Sequence, residues 1–295
     1  MGIFNIFKNK KKECNKLVEL ERYEEALQCY NELLKKEPKN AILWSNKGII
    51  LDKLEKYEEA LKSFDKSIRI DPNATAEYNK GWVLDKLERY EEALQCYNKA
   101  LEIDPKKEPV WNNKGTVLAK LGRHEEAIQS YDKALEIDPK SGELWYNKGN
   151  AFQRLERYVE ALQCYEKALD LISKFEYALE GKGNSLNKLG RREEALKYYN
   201  KSLMLNPNSE RVITHKGHVF GKLERYDEAL DCINNALKLN HEYEYAWYEK
   251  GNLFCKLEKY NEALKCYNRA LELDPDYVEA QEAVENLRFS CNQKS

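Results

Sequence analysis

Seven glycines, Gly48, Gly81, Gly115, Gly149, Gly183, Gly217 and Gly251, each follow a lysine and recur at intervals of 33 residues once and 34 residues thereafter. Behind each comes the same word, Leu-x-x-Tyr-x-Glu-Ala-Leu, with small variations. A unit this short cannot bury its apolar face alone and must stack on a neighbour. The beat therefore outweighs length as a guide to organisation. The 295 residues need not split into two globular cores, because stacked units add length without adding a second core.

Residues 142–175 serve as a typical unit, with places numbered 1 to 34 so that Gly149 is place 8. Leu144, Trp145, Ala151, Phe152 and Leu155 fall at helical spacing. Glu156, Arg157 and Tyr158 then make a short connection. A second helical pattern follows in Ala161, Leu162, Tyr165, Ala168 and Leu169. Most units stop at a proline (Pro38, Pro72, Pro105, Pro139, Pro207, Pro275), which pushes the preceding residue out of the α region. Each unit is predicted to be a helical hairpin. Glycine at place 8 and alanine at place 20 remove bulk where the two helices approach, and the aromatic at place 24 supplies contact area.

The Trp-x-x-Lys-Gly, Ala-x-x-x-Tyr, Pro pattern resembles the tetratricopeptide repeat, whose signature is W-x2-L-G-x2-Y…A-x3-F…P. The resemblance implies an all-α fold, a right-handed α-solenoid of tandem helix-turn-helix hairpins with a concave face that binds peptides or helices of other proteins. It sets seven units, 41–73, 74–107, 108–141, 142–175, 176–209, 210–243 and 244–277. A segment holding a half-matching repeat (1–40) precedes them, and a capping helix with a tail (278–295) follows. Some units depart from the pattern. Place 4 is Trp44, Trp111, Trp145 and Trp247, but Glu77, Leu179 and Ile213 elsewhere. Residues 171–243 are the least regular stretch, where a distortion or a specialised groove is expected.

On an ideal helix, places 2, 6, 9 and 13 fall within about a 60° arc opposite the apolar places. In the family resembled, this arc lines the groove. Place 6 reads Asn46, Asn79, Asn113 and Asn147, and place 13 reads Lys53, Lys86, Lys120 and Arg154. An amide side chain both donates and accepts, so stacked asparagines can hold an extended backbone without regard to its sequence. The same column also reads as ordinary solvated polarity, and the basic column as a solvated face; both readings stand open. The family's clamp for a C-terminal carboxylate needs a lysine at place 5, and none is present.

Lysine at place 7 (Lys47, Lys80, Lys114, Lys148, Lys182, Lys216, Lys250) lies in the apolar arc, where a lone ammonium is costly. A repeated ion pair with the glutamates at place 19, from Glu59 to Glu262, is the expected remedy. His215 and His218, at places 6 and 9 of one helix, are the only candidates for a metal, and they lack a closed ligand set. Five cysteines share one repeat slot with Ser63 and Ser130, so all are expected to be reduced packing thiols in an intracellular protein.

No phosphate loop or nucleophile motif is visible. No catalysis and no cofactor are expected. With Lys+Arg 49 against Asp+Glu 51, the chain has no global pull toward nucleic acid or anionic lipid. No apolar run suits a membrane span, and a cytoplasmic location is expected. The leading functional reading is a protein-interaction scaffold that holds a peptide or helix in the groove, with no small-molecule ligand expected. Its alternatives are an RNA binder using the basic column and an assembly subunit acting through its ends. At the N-terminus, Ile3, Phe4 and Phe7 with the lysines behind them read as an end cap or a membrane tether.

Overall fold

A computed structural model describes residues 2–292, with side chains for 10–288. The expectation for Ile3, Phe4 and Phe7 lies outside the described side chains. Among the described residues all regular structure is helical: seventeen helices in chain order and no strand. The chain divides into two compact units, Met1–Ala151 and Phe152–Ser295. The first contains α1 (Gly2–Glu19), α2 (Tyr23–Lys36), α3 (Ala41–Lys53), α4 (Tyr57–Ile70), α5 (Ala74–Lys86), α6 (Tyr90–Ile103), α7 (Glu108–Lys120) and α8 (His124–Ile137). Helix α9 (Gly142–Arg154) straddles the division. The second contains α10 (Tyr158–Leu171), α11 (Glu176–Lys188), α12 (Arg192–Leu205), α13 (Glu210–Lys222), α14 (Tyr226–Leu239), α15 (Glu244–Lys256), α16 (Tyr260–Leu273) and α17 (Val278–Asn292).

Within each unit consecutive helices pair into antiparallel hairpins, α1 with α2, α3 with α4, α5 with α6, α7 with α8, α11 with α12, α13 with α14 and α15 with α16, and neighbouring hairpins pack side by side. The hairpin interior follows from side-chain size. A Cβ placed at Gly48, Gly81, Gly115, Gly183 or Gly251 would stand 2.5–2.7 Å from the nearest ring atom of the aromatic sixteen residues on. Only a hydrogen fits there. The place-20 alanines, Ala26 to Ala263, are completely buried at the same crossings. Between the helices, place 15 takes a left-handed conformation in every described hairpin turn (Glu21, Glu55, Glu88, Glu156, Glu224, Glu258, Gly122 and Gly190), with φ between 57° and 76°. The only two glycines among them are relieved of the usual Cβ penalty.

Connections between hairpins end on caps. Asn40, Asn73, Ser141 and Ser209 accept from the backbone N–H three residues on. The missing residue of the 33-residue unit is absorbed here: three residues separate α4 from α5, whereas four separate α6 from α7. At the far end, Ala280 and Val284 of α17 are buried, with Val284, Ala283 and Leu287 packed against Ala263 and Tyr267 of α16.

One cysteine expectation is corrected. Cys14 and Cys29 form a disulfide with a Cα–Cα separation of 5.6 Å. Equivalent slots of stacked units are too far apart to bridge, but Cys14 does not occupy the slot that the other cysteines share. Cys14 instead occupies place 8, the glycine place, and so faces the second helix of its own hairpin at close range. The case for an intracellular compartment drawn from reduced thiols loses its basis. Among the described residues, Cys96, Cys232, Cys255 and Cys266 remain free thiols. Burial pushes Cys96 up to about 12 and Cys266 to about 11, so neither is a nucleophile at neutral pH.

Candidate functional site

The place-7 lysines meet a different partner from the one expected. Lys80 bonds Asp65 at 2.7 Å, Lys182 bonds Glu166 at 2.8 Å, and Lys148 bonds Asp132. Those acids all stand at place 25 of the preceding hairpin. Where place 25 is asparagine, as at Asn31 and Asn98, the lysine that follows has no such carboxylate. The titration follows this split. Burial holds the Lys47 and Lys114 ammonium groups below their ordinary value. Burial acts the same way on Lys80 and Lys182, but the hydrogen-bonded carboxylates outweigh it and hold these two above it. Lys47, Lys114, Lys148 and Lys250 also lie 5.1–5.3 Å over the ring of the tryptophan three residues earlier. The place-19 glutamates pair with the arginine three residues earlier, in Arg22–Glu25, Arg89–Glu92, Arg123–Glu126, Arg157–Glu160, Arg191–Glu194 and Arg225–Glu228. A helix brings i and i+3 together directly, whereas place 7 lies across a hairpin.

On the first helices of the Met1–Ala151 unit the asparagine column is half-buried, and Lys53, Lys86 and Lys120 of the basic column are exposed. Asn113 donates through Nδ2 to Tyr78 Oη of the preceding hairpin at 3.2 Å, Asn147 donates to Asn112 Oδ1 at 3.2 Å, and Asn46 donates to Tyr30 Oη at 3.1 Å. At the place where Tyr78 and Asn112 accept from the next hairpin, the hairpin before Asn79 carries Ser45, a shorter side chain. The basic column is partly neutralised. Lys86 bonds Asp52 at 2.7 Å and Lys120 bonds Asp85 at 2.6 Å, each acid being place 12 of the hairpin before. Among the described residues, Lys53, Asn79 and Arg154 make no side-chain hydrogen bond or ion pair.

A rule that sequence reasoning missed links place 9 to place 24. Tyr131, Tyr199 and Tyr267 donate to Thr116, Asn184 and Asn252 fifteen residues back at 3.4, 2.7 and 2.8 Å, and Tyr30 donates to Asn15 likewise. Where place 24 is Phe64, place 9 is Ile49, an apolar match. Trp82 breaks the rule. It cannot accept, so Tyr97 Oη lies buried without a partner among the described residues, and Trp82 itself is 40% exposed. The covariation of the two columns was a signal available in the repeat alignment.

The rule also accounts for the histidines. Place 24 of their hairpin is Ile233, which offers no hydroxyl, and His218 turns to Glu249 instead at 2.9 Å. His215 lies 3.4 Å from Glu180, which also binds Arg211. Glu180 and Glu249 are each 5% exposed, and carboxylates so deeply set need hydrogen-bonding partners such as these. The two histidines thus address separate acids. Among the described residues no group of three or more His, Cys, Asp or Glu side chains could hold a metal ion. Tyr243, Tyr245, Tyr248 and Tyr277 form a chain of ring contacts beside them, at centroid separations of 5.2–6.5 Å. Burial pushes Tyr243 up to about 12, so these hydroxyls stay protonated. Among the described residues no helix is long and apolar enough to cross a membrane.

Comparison with known proteins agrees with the hairpin architecture. Sequence profiles described as "Tetratricopeptide repeat" match residues 15–75, 74–107, 108–174, 140–203, 210–243 and 244–277. A tetratricopeptide repeat protein from Parabacteroides merdae ATCC 43184 is similar in fold, with a TM-score of 0.71 at 18% identity, over 88% of this chain and 99% of that one. The Cut9–Hcn1 hetero-tetramer of the APC/C gives 0.65 at 17% identity over 90% of this chain, which spans only 52% of the matched chain. Pseudomonas aeruginosa pilF gives 0.59 at 23% identity over 71% of this chain and 95% of its own. No curated relative matches the chain. At these identities the structural likeness speaks for the fold, and the profiles, which cover most of residues 15–277, speak for the family. The chain belongs to the tetratricopeptide repeat family.

Proposed function

We propose that this protein is a non-catalytic interaction scaffold, and that the first-helix face of its Met1–Ala151 unit holds an extended segment of a partner protein. The carrying observation is the orientation of the asparagine column. Asn46, Asn113 and Asn147 each spend Nδ2 on the neighbouring hairpin, which leaves Oδ1 as a fixed acceptor. Acceptors repeated hairpin by hairpin suit the N–H groups of an extended backbone and select weakly for its side chains. Asn79, with its amide uncommitted, supplies the adaptable contact in the middle of the row. The pairing of Lys86 and Lys120 with Asp52 and Asp85 argues against an RNA-binding role, since a paired ammonium gives up its carboxylate before it can take a phosphate.

A photo-crosslinking residue in place of Asn79, compared with one in place of the exposed Glu91 on the second helix, tests the reading in native lysate. Partners should crosslink at position 79 and not at 91. The Asn79/Asn113/Asn147→Ala variant should lose at least tenfold in affinity for the partners so identified. Full retention by that variant would remove the asparagine face from the account.

A further inference from the structure

In four hairpins the place-4 tryptophan lies half-buried in a slot on the edge formed by the hairpin and its predecessor. Its Nε1–H donates to the backbone carbonyl six residues earlier: Trp44 to Pro38 at 2.8 Å, Trp111 to Pro105 at 2.9 Å, Trp145 to Pro139 at 3.3 Å, and Trp247 to His241 at 2.9 Å. The opening turn of α17 keeps the bond with another side chain, Gln281 Nε2 donating to Pro275 O at 2.7 Å. Two lysines accompany the indole. Lys47 and Lys66, at places 7 and 26, stand 5.2 and 4.2 Å from the Trp44 ring centroid.

The hairpin of α11 and α12 keeps the slot and lacks the ring. Place 4 is Leu179, and an open-sided cavity of about 570 Å³ lies there, inside the Phe152–Ser295 unit. Ser173, six residues before Leu179, is on its wall, and nothing among the described residues donates to its carbonyl. Leu169, Leu179 and Leu205 give it an apolar lining. The lysines of places 7 and 26 are both present: Lys182 and Lys201 stand 4.5 and 5.1 Å from the ring centroid of Tyr198. Tyr198 occupies place 23, where the other hairpins have Cys or Ser. Leu179 is 6% exposed, as closely packed as Glu77 at 5% in another hairpin without the tryptophan, so the cavity lies beside the leucine and not in an emptied place 4.

We propose that this cavity binds the indole side chain of a tryptophan supplied by a partner protein, which sits beside Leu179 and takes the role that Trp44, Trp111, Trp145 and Trp247 fill from within the chain. The indole N–H bond recurs in all four filled slots, and the lysine pair is present at Trp44. The carbonyl of Ser173 accepts the indole N–H, the leucines cover its benzo edge, and Lys182 and Lys201 meet the π face that phenylalanine would share but could not couple to the carbonyl. The volume falls within the range of small-ligand pockets, about 300–1,000 Å³. The site is separate from the asparagine face, and neither reading depends on the other.

The test uses the full chain and N-acetyl-5-fluorotryptophanamide, followed by 19F NMR. Titration of the protein should broaden and shift the probe resonance at millimolar concentrations or below, whereas N-acetyl-4-fluorophenylalaninamide should bind at least tenfold more weakly. The Leu179→Trp variant fills the slot with the residue that four sister hairpins carry there, so it should fold and should lower probe affinity at least tenfold. Tyr198→Cys, which restores the usual place-23 residue and removes the ring that Lys182 and Lys201 now face, should bind the probe at least as well as the parent and leave the helix content unchanged. Equal binding of both probes, undiminished binding by L179W, or no binding at all overturns the proposal. The asparagine triple variant should bind the probe as the parent does, which keeps this outcome distinct from the fate of the scaffold reading.

Discussion

Replacing Gly81 by alanine probes the closest approach in the hairpin of α5 and α6. The new Cβ would stand 2.7 Å from Tyr97 Cε1 and 2.9 Å from Cδ1. To regain a carbon–carbon separation of about 3.5 Å the ring must retreat by roughly 0.8 Å. Tyr97 is completely buried, so there is no free space behind it. Overpacking of this kind costs about 1–3 kcal/mol. Alanine in a helix interior returns about 0.5–1 kcal/mol relative to glycine, which leaves a net loss of roughly 0.5–2 kcal/mol. Urea denaturation followed by circular dichroism should show G81A unfolding at lower denaturant than the parent. Tyr97→Leu in the G81A background should then cost less than it does alone, since it removes the atoms in the way. A G81A variant as stable as the parent or more so, or one indifferent to Tyr97→Leu, would refute this account of why place 8 is glycine.

Three further outcomes are expected. Gly122→Ala meets no atom within 4 Å yet sits at φ +74°, so it should lose about 1 kcal/mol through the backbone alone in the same denaturation assay. Asn98→Asp offers Lys114 the kind of carboxylate that Lys80 has in Asp65, and should raise stability at neutral pH by about 0.3–1 kcal/mol. Because burial holds the folded-state Lys114 below its ordinary value, the parent gains stability as pH rises through that window toward 10.5. Asn98→Asp should abolish that gain. Asp65→Asn should do the reverse at Lys80, removing stability that is present below the ordinary lysine range and lost above the raised folded value. Finally, the Cys14–Cys29 bridge closes a separation of 15 residues, for which loop entropy suggests about 3 kcal/mol. Reduction should raise hydrogen exchange in α1 and α2 and leave α11 to α16 unchanged, and the Cys14→Ser/Cys29→Ser variant should not respond to reductant.

Much of the architecture was legible because repetition multiplies weak signals. A single glycine within a helical pattern means little, but one that recurs beside Ala and Tyr at constant spacing marks a helix crossing, and the packing of Gly81 against Tyr97 agrees. Register along one helix was equally legible: the asparagines at place 6 are half-buried, and the basic residues at place 13 are exposed. Contacts between helices were less so. The place-7 lysines were matched with the most regular acid column, whereas three of them bond the irregular one, in Asp65, Asp132 and Glu166. Regularity at place 19 reflected a local i,i+3 pair with arginine, which a helix satisfies without tertiary structure. The Cys14–Cys29 bridge escaped notice for a related reason, since its first cysteine stands in a degenerate unit at a place held elsewhere by glycine.

Periodicity and residue size, both local properties, determined from the sequence alone that this chain forms tandem helical hairpins and which side of each first helix carries polar groups. Which lysines hold a carboxylate, which histidine meets which glutamate, and where a missing tryptophan leaves room were decided by the tertiary structure. These depend on distances between helices that no spacing along the chain encodes. The cavity beside Leu179 is the clearest instance: one substituted letter in the sequence, and an open cavity only when the preceding hairpin is set against it.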